Sequence, residues 1–115
     1  MESVARSWVY VLTIDVHFDK VRFVKYQVEF IEEKNLILKE TRGIGFEDII
    51  AAYEKGRIID DLKSRNHPNQ RIMVIRVKRY IYAVPYVVDS KRKVIFLKTI
   101  YPSRVLVKKY GKEKI

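Results

Sequence analysis

The sequence has no cysteine in its 115 residues. That excludes a disulfide framework, a thiolate zinc site and a thiol nucleophile. Only two histidines are present, His17 and His67, and two imidazoles alone do not make a metal centre. No apolar run approaches the roughly 18 residues of a transmembrane helix. The opening "MESVARSWVYVLTIDVHFDK" lacks a basic leader, and Thr13, Asp15 and His17 interrupt its apolar residues, so a secretory signal is not expected. With four glycines, the chain offers no phosphate-cradling G-x-x-x-x-G-K-[ST] or G-x-G-x-x-G turn and no G-x-S-x-G elbow; an H-E-x-x-H helix is missing too. Nucleotide-dependent, serine-hydrolase and zinc-protease chemistry therefore have no support. The expectation is a cytoplasmic protein with no membrane association, metal or cofactor.

Acidic residues are scarce where basic ones gather. The formal net charge is +10. Residues 67–115 hold 13 basic and 2 acidic side chains, whereas residues 29–66 hold 7 basic and 9 acidic. Solubility does not require that sorting along the chain, and it points to a polyanionic partner. Apolar residues make up 48%, enough for one folded domain of this length.

Periodicity supplies the elements. Trp8, Tyr10, Leu12, Ile14, Val16 and Phe18 share one parity, and Val24, Tyr26, Val28 and Phe30 share another after "DK" at 19 and 20. This predicts a β-hairpin. Residues 32–42, "EEKNLILKETR", are rich in helix formers and stop at Gly43. Phe46, Ile49, Ile50 and Tyr53 repeat at helical spacing behind Gly45, with Glu47 and Asp48 in the first turn and Gly56 as the stop. "RIIDDLKSR" (57–65) reads as a short strand entering the turn-rich "NHPNQ". Three strands follow, at 71–78, 79–88 and 93–100, and then a basic tail. Pro85, which lacks an N–H, should lie at a bulge or turn its nitrogen away from a neighbour. Segregated helices and strands predict an α+β fold with two helices on one face of a mostly antiparallel sheet. The other face, carrying tyrosines and basic residues, would be free to bind.

The stretches "EEKN" (32–35), "RGIGFED" (42–48), "HPNQR" (67–71), "YAVPYV" (82–87), "FLKTIYPSR" (96–104) and "KKY" (108–110) occur in an order and spacing that resembles the BrnT-like toxins of type II toxin–antitoxin modules. Their fold is similar to that of the RelE ribonucleases. The resemblance covers about residues 25–110, and with it the single domain divides into an N-terminal strand extension (1–24), a toxin-like core (25–110) and the end of a basic tail (111–115). Relatives often have a serine where Gly45 stands, and polar residues in place of Val105, Leu106 and Val107. The resemblance implies a metal-independent ribonuclease, neutralised by a cognate antitoxin that is a small DNA-binding protein, in a homodimer or a toxin–antitoxin hetero-oligomer. A non-cutting module that binds nucleic acid or the antitoxin is the alternative.

Metal-free RNA cleavage needs a proton acceptor for the 2′-hydroxyl, cations for the phosphorane and a donor for the leaving oxygen. Arg104 is the expected phosphate clamp, since a guanidinium binds two phosphate oxygens in fixed geometry. Lys98 would stabilise charge, and His67 and Tyr110 are the proton-transfer candidates. His67 reads equally as a turn residue beside Pro68. Arg71, Arg76, Arg79, Lys108 and Lys109 are candidates for contacts to the RNA backbone, and Tyr80, Tyr82 and Tyr86 for stacking on bases or for packing. Lys91, Arg92 and Lys93 fall in a hairpin loop and add non-specific attraction.

Overall fold

A computed structural model describes residues 4–15 and 20–110. The expected hairpin is there: β1 (Val4–Asp15) pairs antiparallel with β2 (Lys20–Ile31) along its whole length. Val16, His17 and Phe18 of the expected first strand, and Asp19 of the turn, lie outside the described residues. Two helices follow, α1 (Glu32–Arg42) and α2 (Phe46–Glu54), then β3 (Ile58–Lys63), β4 (Gln70–Val77), β5 (Tyr80–Asp89), β6 (Val94–Leu97), the two-residue β7 (Tyr101–Pro102) and α3 (Arg104–Tyr110). The strands form one sheet in the order β1-β2-β6-β5-β4-β3, with β7 beside β5. Every pairing is antiparallel except β2 with β6. The fold is α+β on a mostly antiparallel sheet, as the sequence predicts.

Helices α1 and α2 pack on one face. Phe46 and Ile49 of α2 and Leu38 of α1 join Val28, Phe30, Met73, Ile75, Val77, Val84, Tyr86 and Leu97 in the main core. Phe30 and Phe46 hold their rings 4.8 Å apart. The loop between the helices is set by two devices. Gly43 has φ +68, and its N–H bonds back to the Lys39 carbonyl, closing α1 with a left-handed residue. Arg42 then donates to the carbonyl of Ile100, tying the helix end to the segment after β6.

The free-face expectation is overturned over β5, which α3 crosses. Val74, Ile81, Ala83 and Pro85, of the opposite parity, are also buried, because the "basic tail" is a helix: α3 packs across β5 on that face. A central strand covered on both sides reads as continuously apolar, which is why "YIYAVPYVV" shows no polar parity. The tyrosines lie on the helix-covered side instead, with Tyr86 8% exposed. Pro85 sits where β5 passes from its pairing with β7 (Tyr82, Ala83) to its pairing with β6 (Tyr86 to Asp89). Its carbonyl accepts from the Lys98 N–H on that side, so the missing proline N–H falls in the gap between two ladders, as expected of a proline inside a strand.

Gly45 is needed for space, and its backbone is ordinary (φ −119). A Cβ there would stand 2.5 Å from Lys39 Cε and 2.8 Å from both Asn35 Oδ1 and Glu47 Oε1. Lys39 can swing away, but the other two atoms are hydrogen-bonded in place. Gly45→Ala is therefore expected to destabilise the fold by about 1–2 kcal/mol, the usual cost of overpacking. Chemical denaturation measures it, and an unchanged midpoint would contradict the tight junction.

Candidate nucleic-acid interface

Helix α3 follows from its local sequence. Pro102 ends β7, and Ser103 caps the helix, its Oγ accepting from the Leu106 N–H at 3.2 Å and its carbonyl from the Val107 N–H at 3.0 Å. Ser103, Leu106, Val107 and Tyr110 are partly buried at i, i+3, i+4 and i+7, while Arg104, Val105, Lys108 and Lys109 are exposed. Two of the three apolar residues that distinguish "SRVLVKKY" therefore dock the helix on the sheet. The third, Val105, is 74% exposed among the cations.

The far end of α3 is latched to the edge strand. Tyr110 donates its hydroxyl to Asp60 Oδ2 at 2.5 Å. That bond is the main cause holding the Asp60 carboxyl below its ordinary 3.8, and it holds the Tyr110 phenol above its ordinary 10.0. A depressed carboxyl contributes stability above its unfolded pKa and loses it as pH falls through the folded value. A raised phenol contributes below its unfolded pKa and loses it as pH rises through the folded value. The latch is thus closed across the neutral range and opens only below about pH 4 or above about pH 10. Amide hydrogen exchange should show the last turn of α3 equally protected at pH 6 and pH 8, and Tyr110→Phe should speed that exchange severalfold. Identical exchange in the variant would remove the latch.

At the other end of α3, Pro102 pairs with Tyr82. A groove beside that pair is lined by Lys78, Arg79, Tyr80 and Tyr82 from the β4–β5 turn, with Gly43 and Asp48 opposite. The tyrosine rings are 5.4 Å apart and inclined by 58°. Burial, helped by Tyr80 and Asp48, raises the Tyr82 phenol, so both polar edge and ring are present as a neutral group. Lys78 makes the turn with φ 58. The structure therefore brings Arg79 and Tyr82 together in one groove and adds Lys78 and Tyr80, while Arg104, Lys108 and Lys109 stand exposed on α3, on the other face of the sheet.

It does not assemble the remaining predicted residues with them. His67 is exposed in the β3–β4 loop, where its carbonyl accepts from the Gln70 N–H. Gln70 pairs with Val87, four residues along β5 from the Ala83–Tyr101 pair, a separation of about 13 Å in a strand. Lys98, also exposed, places Nζ 5.6 Å from the centre of the Phe96 ring. Arg71 is committed to Asp61, donating from Nε to Oδ2 at 2.9 Å and from a terminal nitrogen to the carbonyl. Tyr86 donates to the same carboxylate at 2.7 Å, and burial together with that bond pushes its phenol well up. Tyr86, buried, is a structural partner of Asp61 in place of the expected stacking ring, and Arg71, engaged with the same carboxylate, keeps 39% of its side chain exposed; Asp61 lies in β3, where the sequence predicts only a short strand. Arg76 shares the α3-covered parity with Val74 and is half-buried.

Among the described residues there is no group of three or more His, Cys, Asp or Glu able to hold a metal ion, and no helix is long and apolar enough to cross a membrane. No protein-family model, curated protein or solved structure matches the chain.

Proposed function

We propose that this chain is a metal-independent endoribonuclease of the BrnT-like toxin type, acting in the cytoplasm and silenced by a cognate antitoxin. The observation that carries this reading is the groove of Tyr80 and Tyr82 flanked by Lys78 and Arg79, taken with the exposed Arg104, Lys108 and Lys109 that α3 carries on the other face of the sheet. Aromatic rings beside guanidinium and ammonium groups suit unpaired bases and their phosphates. The order of motifs along the chain supports it independently.

In the proposed reaction the 2′-hydroxyl attacks the adjacent phosphorus and its proton passes to a base. The bond to the 5′-oxygen breaks, and that oxygen takes up a proton, leaving a 2′,3′-cyclic phosphate and a 5′-hydroxyl. Arg104 holds the phosphate oxygens as charge builds, and Lys108, one helical turn further on the same side, adds a second cation. Tyr110, donating to Asp60, serves by fixing the helix that carries them. Purified protein incubated with RNA in excess EDTA is expected to produce fragments, and intact RNA would overturn the reading.

One observation favours a second reading, in which the surface binds RNA without cutting it. His67, of the residue type whose unperturbed pKa lies nearest neutrality, lies in the β3–β4 loop, away from the cationic helix. That reading predicts salt-sensitive binding with no fragments.

A further inference from the structure

On the α3 side of the sheet, the described residues place no helix over β1, β2 and β6: α3 packs on β5 and reaches β3 through Tyr110. This uncovered half carries a built cluster. Arg6 on β1 and Glu29 on β2 are paired residues, and Glu29 is paired in turn with Phe96 on β6. The Glu29 side chain is 7% exposed, yet it meets Arg6 Nε at 3.2 Å and an Arg92 terminal nitrogen at 3.4 Å. The two guanidiniums are themselves 57% and 60% exposed. One buried carboxylate thus anchors two outward-facing guanidiniums that come from sequence positions 86 apart.

Arg92 is further fixed by its own turn, its N–H donating to Asp89 Oδ1 at 3.1 Å and its guanidinium lying 3.9 Å from the other Asp89 oxygen. Next to this pair is the half-exposed ring of Phe96, with Lys98 Nζ at 5.6 Å. Lys91 and Lys93 are exposed in the same turn. Phe96 and Lys98 also line a groove with Glu33 and Lys34 at the start of α1, so the patch presents six cations against three carboxylates, of which Glu29 is buried and fully engaged. The Phe96 ring keeps part of its surface exposed there.

Resting on the nucleic-acid reading given above, we infer that this half-sheet is a second contact surface for single-stranded RNA, in which Arg6 and Arg92 hold successive phosphates and Phe96 stacks on the intervening base. Glu29 acts as a positioning residue. Burial of its carboxylate makes both guanidiniums converge on one spot, and each keeps free N–H donors for a phosphate. A single strand is favoured over a duplex because a base reaches the Phe96 ring only when it is unpaired. The surface contains Arg6 of the N-terminal strand, so β1 contributes directly to binding.

The test uses fluorescence anisotropy with a labelled 2′-O-methyl oligouridine, a single strand that cannot be cut, so binding is read separately from cleavage. R6Q/R92Q is expected to weaken binding about tenfold at moderate salt and to flatten the log–log salt slope by about 1.4, the loss of two single-strand phosphate contacts. F96L keeps an apolar side chain but loses the ring, and should weaken binding roughly fivefold or more with the slope unchanged. Glu29→Gln gives the sharpest contrast: it makes the patch more positive, so mere attraction would tighten binding, whereas lost positioning weakens it severalfold. Should R6Q/R92Q fold poorly with Glu29 left unpaired, R6Q/E29Q/R92Q removes the whole cluster and must show the same loss.

Tighter binding by E29Q, or wild-type affinity in R6Q/R92Q and F96L, overturns the inference. A wild type that binds the probe, loses affinity in these variants and leaves natural RNA uncut would remove the ribonuclease reading and keep this surface. Cleavage with unaltered affinity in the variants would do the reverse, and a wild type that binds no RNA at all removes both.

Discussion

Asn35→Ala is expected to lower stability by about 3 kcal/mol, the cost of leaving the buried Phe46 N–H unpaired and of the space left behind. Asn35 is fully buried on α1. Its Oδ1 accepts the Phe46 N–H at 2.7 Å, one of the amides at the start of α2 that no intrahelical carbonyl can reach. Its Nδ2 donates to both Glu47 oxygens at 3.0 Å, and Lys39 closes the cluster at 3.1 Å. Burial alone would raise the Glu47 carboxyl, but the bonds from Asn35, its own backbone N–H and Lys39 outweigh it and hold the group below its ordinary 4.5. One side chain thus caps α2 and fixes its angle to α1.

A fall of about 3 kcal/mol corresponds to a drop in melting temperature on the order of 10 °C for a domain of this size. Asn35→Asp keeps the acceptor for Phe46 but sets a second carboxylate against Glu47. It should be at least as unstable at pH 7, and should recover part of the loss as pH falls and the pair takes up a proton. Thermal melts of both variants at pH 5 and pH 7 check this. Alanine costing less than 1 kcal/mol would contradict the interlock.

Arg104→Ala is expected to reduce RNA cleavage by a factor of roughly 100 or more, the usual consequence of removing a donor aimed at developing negative charge. Arg104 is exposed on the outer face of α3, so its loss should leave the melting temperature within a degree or two. Arg104→Lys keeps the charge but lacks the fork geometry and should restore only a fraction of the rate. Single-turnover cleavage at saturating RNA separates this role from affinity. If both variants cut at the wild-type rate, another group clamps the phosphate.

Local signals were legible. Helix α1 begins and ends as the composition of 32–42 predicts, since Gly43 supplies the left-handed stop. The β4–β5 turn falls on Lys78 and Arg79, at the junction of the two expected strands, with Lys78 at positive φ. The last long strand is shorter than its apolar run, because β6 pairs with β2 over three residues only before the chain turns away. Helix α3 was hidden by Val105 and Val107, which are weak helix formers. Its signal was Pro102 and Ser103 as a cap, followed by Leu106, Val107 and Tyr110 at helical spacing.

The site residues were less legible than the elements. Arg79 and Tyr82 were singled out and share one groove; Arg104 was singled out as well, but α3 carries it on the opposite face of the sheet. Asp60 and Asp61 were not singled out, although they engage Tyr110, Arg71 and Tyr86, because a hydrogen bond across 50 residues leaves no trace in local periodicity. For the same reason Arg92, read as a solvated loop cation, could not be linked to a buried glutamate 63 residues earlier. Charge sorting motivates the proposal of a polyanionic partner; the pairing of strands shows which cations lie together.

The most direct measurement is the chemistry of the RNA ends after incubation with wild-type protein in excess EDTA. Fragments carrying 2′,3′-cyclic phosphate and 5′-hydroxyl ends, with no cleavage at a site whose 2′-hydroxyl is replaced by hydrogen, are the predicted result. RNA that stays intact, or that is cut with 3′-hydroxyl and 5′-phosphate ends, would contradict cleavage by attack of the 2′-hydroxyl.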